Sequence, residues 1–321
     1  MKFNKQILLT GSNGFIASHL LKRIPEGQIN AVDLLENKSA NFNKFMQTAI
    51  SATTVYSSIL QDVSTVIHCA ARVHVMNDSV VNPLELYREV NTAGTINLAK
   101  QAASAGVKRF IFLSSIKANG EKTPLNCPYT NESPLNYEDP YGQSKAEAEI
   151  ALMEIAKETG MEVVIIRPTL VYGAGVKANF AALMNLVSKG IPLPFGCIKH
   201  NKRSLVSVTN LVDLIITCID HPKAANQVFM VSDNYDISTS EMISFMGKSL
   251  SKKTLQISIP IWMYKLAGKI LRKEDVISRL TGSLQVDIKH TMKTLDWTPP
   301  QSIADAFQEA ASAFKKHKGI K

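Results

Sequence analysis

Through its first half the chain alternates short apolar runs with longer stretches in which apolar residues recur every three or four positions. The short runs, at 6–10, 29–33, 66–70, 110–114 and 163–167, predict strands. The stretches at 83–105 and 143–159 predict amphipathic helices between them. Val163-Val164-Ile165-Ile166 carries no polar position, as a strand covered on both faces requires. Strands and helices in alternation predict α/β architecture, a Rossmann-type doubly wound parallel sheet. A loop rich in Pro and Asn, 123–140, precedes the second helix. Beyond Arg167-Pro168 the rhythm changes to shorter helices and denser Gly, Pro and Lys. The expected division is a sheet domain over 1–170, with returning segments near 204–218 and 227–233, and a smaller C-terminal domain over most of 171–321.

A chain of 321 residues with 45% hydrophobic and 20% charged residues has enough apolar material for a large core, which excludes a disordered chain. The formal net charge of +9 admits nucleic acid, an anionic membrane or a phosphorylated small molecule as partner. No basic stripe interleaved with aromatics is present, so no nucleic-acid partner is expected. Cys69, Cys127, Cys197 and Cys218 are scattered without metal-ligand spacing and read as reduced thiols, with no metal site expected. Met1-Lys2-Phe3 runs straight into the first strand, with no signal peptide and no membrane span, so a cytoplasmic location is expected. The stretch 259–273 is apolar, bears Trp262 and has basic flanks. It reads as a small-domain helix packed on the core, with contact at a membrane surface as the lesser alternative.

Chemistry enters at two places. Gly11 and Gly14 follow the first strand and open a helix at Phe15-Ile16-Ala17, which suits a tight turn, close approach of backbone to a pyrophosphate and helix-end N–H groups aimed at it. Asp33 ends the second strand about twenty residues on, where a carboxylate bonds a ribose 2′-hydroxyl and repels a 2′-phosphate, favouring NAD over NADP. Tyr141 and Lys145 lie one helical turn apart, and an ammonium beside a phenol is expected to lower its pKa towards the working range.

In their order, Thr10-Gly11-Ser12-Asn13-Gly14-Phe15-Ile16, Asp33, His68-Cys69-Ala70-Ala71, Asn91-Thr92-Ala93-Gly94-Thr95, Ser114-Ser115, Tyr141-Gly142-Gln143-Ser144-Lys145 and Arg167-Pro168 resemble the extended short-chain dehydrogenase/reductases. Within these the chain is similar to the nucleotide-sugar epimerase/dehydratase branch, near the UDP-glucose 4-epimerases. The resemblance implies Tyr141 as acid/base, Lys145 as its electrostatic partner and ribose contact, and Ser115 as the hydroxyl on the reacting C4 oxygen. Asn91 would stand beside the active site. Gly11, Asn13, Gly14, Phe15, Ile16, Asp33, Ala70, Ala71 and Arg72 would hold NAD. Asn179, Phe195, Arg203 and Arg279 would serve a UDP-sugar, the two arginines at its phosphates.

Two departures stand out. The position where many relatives bond adenine with an acid reads Ala49-Ile50, and the segment after Ser115 reads Ile116-Lys117-Ala118-Asn119-Gly120, without the Tyr before Gly that well-known 4-epimerases carry and, at Ile116-Lys117, without a dehydratase's acidic pair. The expected function is therefore UDP-hexose or UDP-N-acetylhexosamine 4-epimerisation for surface polysaccharide, as a homodimer formed through the helices at 83–105 and 143–159. A 4-keto reductase of a UDP-4-keto-6-deoxy-N-acetylhexosamine is the alternative. A non-catalytic dinucleotide sensor is less well matched, because Tyr141 and Lys145 are both kept.

Overall fold

The structure is a computed structural model that describes residues 6–37, 41–73, 82–176 and 178–319; the side chains of 178 and 179 fall outside that description. The ten strands among the described residues are β1 (Gln6–Thr10), β2 (Ile29–Asp33), β3 (Lys44–Gln47), β4 (Val63–His68), β5 (Arg109–Leu113), β6 (Glu162–Pro168), β7 (Leu170–Tyr172), β8 (Arg203–Ser207), β9 (Gln227–Val231) and β10 (Asp236–Ile237). The helices are α1 (Phe15–Leu20), α2 (Pro83–Tyr87), α3 (Thr95–Ser104), α4 (Pro140–Thr159), α5 (Ala178–Ser188), α6 (Val208–Asp220), α7 (Thr239–Ser249), α8 (Ile261–Ile270), α9 (Glu274–Thr281), α10 (Lys289–Leu295) and α11 (Ile303–Lys318).

Seven strands form one sheet in the order β3-β2-β1-β4-β5-β6-β9, every neighbouring pair parallel. The chain runs outward from β1 to β3, then returns to start again beside β1 with β4. That reversal opens a crevice at the strands' C-terminal ends, the place where open α/β sheets bind ligands. Side chains alternate across the sheet as the two-residue period demands. Ile7, Leu9, Val164 and Ile166 pack with Leu20, Leu211 and Ile215 on one face. Leu8, Val163 and Ile165 pack with Leu98, Leu152 and Ile155 on the other.

Asp139 caps α4 by accepting the Gly142 N–H at 2.6 Å, and Pro140 stands in its first turn. Together they fix where the helix begins. The predicted helix at 83–105 is one rod whose middle, Arg88–Gly94, is wound as a π-helix. Asn91 lies within this π-helix and is buried. β3 went unpredicted because it is a four-residue, half-buried edge strand.

The stretch expected to return at 204–218 divides. Its strand β8 lies in a small sheet of order β10-β8-β7, while α6 after it shares the core of the large sheet. Tyr172, Phe180, Leu193, Phe195, Ile243 and Phe307 build a separate core beneath that small sheet. The 259–273 helix packs on the small-domain core through Tyr264, with Ile259 against the same core. In α8 only Tyr264 and Gly268 are buried, and its apolar side chains largely face outward. No helix among the described residues is long and apolar enough to cross a membrane.

Candidate active site

The crevice is built first from the turns after β1 and β4. Gly11 has φ +71, and a Cβ there would lie 2.9 Å from both Cα and N of Ala70, so only glycine lets these strand ends touch. Thr10 Oγ1 accepts the Ala70 N–H at 3.2 Å and shares a 2.7 Å hydrogen bond with His68 Nδ1. His68 Nε2 meets Thr95 Oγ1 at 2.9 Å. Burial, with Lys145 nearby, pushes this imidazole down to about 3, so it is a neutral brace.

Asn13 donates its backbone N–H to Asp33 Oδ2 at 2.8 Å, Leu35 N–H donates to Asp33 Oδ1 at 3.2 Å, and Asn13 Nδ2 donates to the Leu35 carbonyl at 2.9 Å. The glycine turn is thereby latched to the end of β2. Gly14 caps α1 without a side-chain hydrogen bond, so the first-turn N–H groups, those of Phe15 and Ile16 among them, are left for another acceptor. A carboxylate at a strand end, an uncapped helix start and a side-chain-free turn are what a dinucleotide requires, and these residues fit one. Ala70, Ala71 and Arg72 are half-buried along the turn after β4. Asn91 holds that turn, accepting the Arg72 N–H at 2.8 Å and donating to the Arg72 carbonyl and to Ser144 Oγ, each at 3.0 Å.

The structure brings the Ser115 and Tyr141 side chains near one another, Ser115 acting to lower the Tyr141 pKa. Ser115 also caps the short turn after β5, accepting the Lys117 N–H at 3.2 Å. The approach depends on Gly142, where a Cβ would stand 2.4 Å from the Lys117 carbonyl oxygen. The Tyr87 ring meets Tyr141 edge-on, centroids 6.1 Å apart.

The expected lowering of the Tyr141 pKa is not found. Burial pushes the phenol well above its ordinary value, with Asp139 and Tyr87 adding to the shift and Ser115 opposing it. Lys145 is turned elsewhere: its Nζ donates to the Leu113 carbonyl at 2.9 Å and stands 4.5 Å over the Phe112 ring. Burial brings this ammonium down to about 8, against the opposing pull of Cys69 and Glu149.

Sequence reasoning missed what lies beneath these groups. Ser114, beside Ser115, donates to Glu149, which forms an ion pair with Arg167 at 2.5 Å. Arg167 Nη1 donates to Asn119 Oδ1 at 3.1 Å, and Asn119 Nδ2 reaches the carbonyls of Ser133 and Pro134. The available signal was Glu149 four residues after Lys145, on the same face of the helix.

On the other side of the crevice, Arg203 on β8 donates to the Gly282 carbonyl at 3.3 Å. Burial and then the Arg279 charge lower its pKa, while Glu121 opposes them. Arg279 lies 3.6 Å from Glu121. Two guanidiniums whose charges act on one another would be stabilised by an incoming dianion. Phe195 is 7% exposed and packs within the small-domain core. Asn179 lies in the first turn of α5, and its side chain is outside the described residues. Lys117 is bound by Glu121 and Asp139, so it supplies no acid to the crevice.

Residues 7–232 match the NAD dependent epimerase/dehydratase family. The chain is 57% identical over 316 residues to a UDP-glucose 4-epimerase of Vibrio cholerae, covering 98% of this chain and 96% of that protein. Among solved structures, a UDP-glucose 4-epimerase of Thermotoga maritima with UDP-glucose superposes with a TM-score of 0.76 at 21% identity, over 98% of this chain and 99% of that one. A UDP-glucuronic acid 4-epimerase of Bacillus cereus in complex with NAD does so with a TM-score of 0.76 at 20% identity, over 98% and 100%.

Proposed function

Because the chain belongs to the NAD dependent epimerase/dehydratase family, we propose that it is an NAD-dependent UDP-hexose 4-epimerase. The observation that carries this reading is the 57% identity to a UDP-glucose 4-epimerase over 98% of the chain. The Ser115–Tyr141 hydroxyl pair at the strand ends supports it independently, since that pair suits an alcohol and its ketone equally.

In this reading the Gly11 turn, Gly14, the N–H groups of Phe15 and Ile16, Asn13 and Asp33 hold the dinucleotide, with Ala70, Ala71 and Arg72 along its path. NAD held there would supply a reversible hydride acceptor for C4 of the sugar. Arg203 and Arg279 take the diphosphate. Tyr141 moves the proton of the C4 hydroxyl, and Ser115 orients that oxygen through a hydrogen bond. Lys145, its Nζ held at the Leu113 carbonyl, would contact the nicotinamide ribose, and Asn91 keeps the Arg72 turn and the Ser144 turn in register. Anchoring at the diphosphate leaves the sugar held by few groups, as a ring that must present both faces requires. The homodimer would form through the outer faces of the 83–104 rod and α4, where Ile150 is 53% exposed.

The alternative is a 4-keto reductase of a UDP-4-keto-6-deoxy-N-acetylhexosamine, which would use the same residues once, in one direction. A single experiment separates the two. Purified protein is incubated with UDP-glucose, UDP-galactose, their N-acetyl counterparts and a UDP-4-keto sugar, with and without NADH or NADPH. An epimerase interconverts a pair with no net change in NADH. Turnover of the keto sugar alone, with stoichiometric loss of reductant, would replace the epimerase reading.

A further inference from the structure

We propose that the exposed face of α8 is a docking surface for an anionic lipid bilayer. Helix α8 touches the rest of the protein along one narrow line, Tyr264 and Gly268. Gly268 makes the contact close: a Cβ there would lie 2.8 Å from Ile277 Cγ1 on α9. At 100° per residue, the side chains directly opposite that line are Trp262, Leu266 and Ile270, and they are 64%, 52% and 70% exposed. A surface helix ordinarily turns its apolar stripe inward; here the most apolar stripe points to solvent.

Charge selects the occupant. From residue 252 to 273 there is no Asp or Glu, and there are six cations, Lys252, Lys253, Lys265, Lys269, Arg272 and Lys273, all exposed. Lys265 and Lys269 run along the flank of the apolar ridge, one turn apart. A second copy of the chain on a two-fold axis would set this cationic patch against itself. A bilayer bearing anionic headgroups meets both features together: the ridge enters the headgroup–acyl boundary while the lysine stems snorkel to phosphate. Trp262 is the interfacial residue such a helix uses. The docking is in-plane, since α8 has only ten residues, and it stands whether the sugar chemistry is epimerisation or reduction.

Trp262 also supplies the probe, because the other tryptophan, Trp297, is 6% exposed. Full-length protein is mixed with vesicles of phosphatidylcholine alone or with roughly one third phosphatidylglycerol, then assayed by co-sedimentation and tryptophan emission. The expected result is sedimentation with the anionic vesicles only, a blue shift, and quenching by brominated acyl chains. Leu266→Glu combined with Ile270→Glu should reduce partition at least about tenfold, and Lys265→Glu with Lys269→Glu should remove the preference for anionic lipid. Both variants lie away from the crevice and should keep the wild-type circular dichroism and turnover. The proposal is overturned if wild-type protein stays in the supernatant, or if binding survives Leu266→Glu with Ile270→Glu. It is also overturned if that variant turns an oligomer into a monomer without lipid, which would make the face a contact between copies.

Discussion

Arg167 and Glu149 meet in a buried ion pair beneath the crevice, their side chains 5% and 3% exposed and their closest atoms 2.5 Å apart. Arg167 Nε also contacts both carboxylate oxygens, at 3.0 and 3.1 Å. Burying two charges is tolerable only when the remaining donors and acceptors are met; here Ser114 serves Glu149 and Asn119 serves Arg167. The pair joins β6, the end of β5 and the helix that carries Tyr141. Arg167→Met is predicted to cost about 3–5 kcal/mol, because it leaves a carboxylate buried alone. Adding Glu149→Leu should recover much of that loss. Urea unfolding of the three variants checks this, and a double variant as unstable as the summed singles would contradict it.

Tyr141→Phe removes the hydroxyl proposed to move the C4 proton. Turnover should fall about 10²–10⁴-fold. Ser115→Ala removes one donor to the developing charge and should cost about 10²–10³-fold. Neither side chain is among those assigned to the dinucleotide's adenosine half, so NAD affinity by fluorescence titration should change little in Ser115→Ala. Half-maximal turnover in Tyr141→Phe would remove the acid/base assignment.

Asp33 closes β2 and accepts the Asn13 N–H, so it both shapes the glycine turn and sets the charge at the ribose. Asp33→Asn keeps an acceptor oxygen and drops the charge. NAD affinity is predicted to fall about tenfold, as for one charge-assisted hydrogen bond, while NADP affinity rises relative to it. Competitive titration of both dinucleotides measures the ratio. An unchanged ratio would mean that some other group excludes the 2′-phosphate.

The sheet was legible because β1, β2, β4, β5 and β6 are apolar runs long enough to stand out, and each is buried on both faces. β3, β7 and β10 were not, being four, three and two residues long and held by their neighbours rather than by their own pattern. The crevice residues Gly11, Asp33, Asn91, Ser115 and Tyr141 could be read from spacing and resemblance. Their supports could not. The Glu149–Arg167 pair joins residues 18 positions apart on different elements, and the interaction of Arg203 with Arg279 arises only when β8 meets the chain after α9. The Tyr141 pKa was misjudged for a related reason. Helical spacing places Lys145 on the right face, but the Leu113 carbonyl decides where its ammonium points.

His68 gives the acid side of the stability profile. Its imidazole is held down to about 3 in the folded protein, whereas an unfolded histidine titrates near 6.5. Between those values the unfolded chain binds a proton that the folded chain does not. The contribution is therefore complete above about pH 6.5 and is lost as pH falls, with a slope of up to about 1.4 kcal/mol per pH unit. His68→Gln should lower stability near neutrality and remove that slope. Unfolding free energies measured for both proteins from about pH 4 to 7 test it, and parallel curves would refute the prediction.

Gly142 sits between the acid/base tyrosine and the turn that bears Ser115. A methyl group there would lie 2.4 Å from the Lys117 carbonyl oxygen and 3.0 Å from Asp139 Oδ1. The helix itself would accept alanine, which is a better helix former than glycine by about 1 kcal/mol. The clash is with the neighbouring turn, so the first turn of α4 must move away from Ser115. Displacement of about 1 Å between reacting groups costs on the order of 10²-fold in rate. Gly142→Ala is therefore predicted to lower kcat about 10²-fold and, because the clash is with backbone, to lower the melting temperature as well. Steady-state kinetics beside a thermal melt measure both. A variant with wild-type kcat would mean that the Ser115–Tyr141 spacing is not what limits turnover.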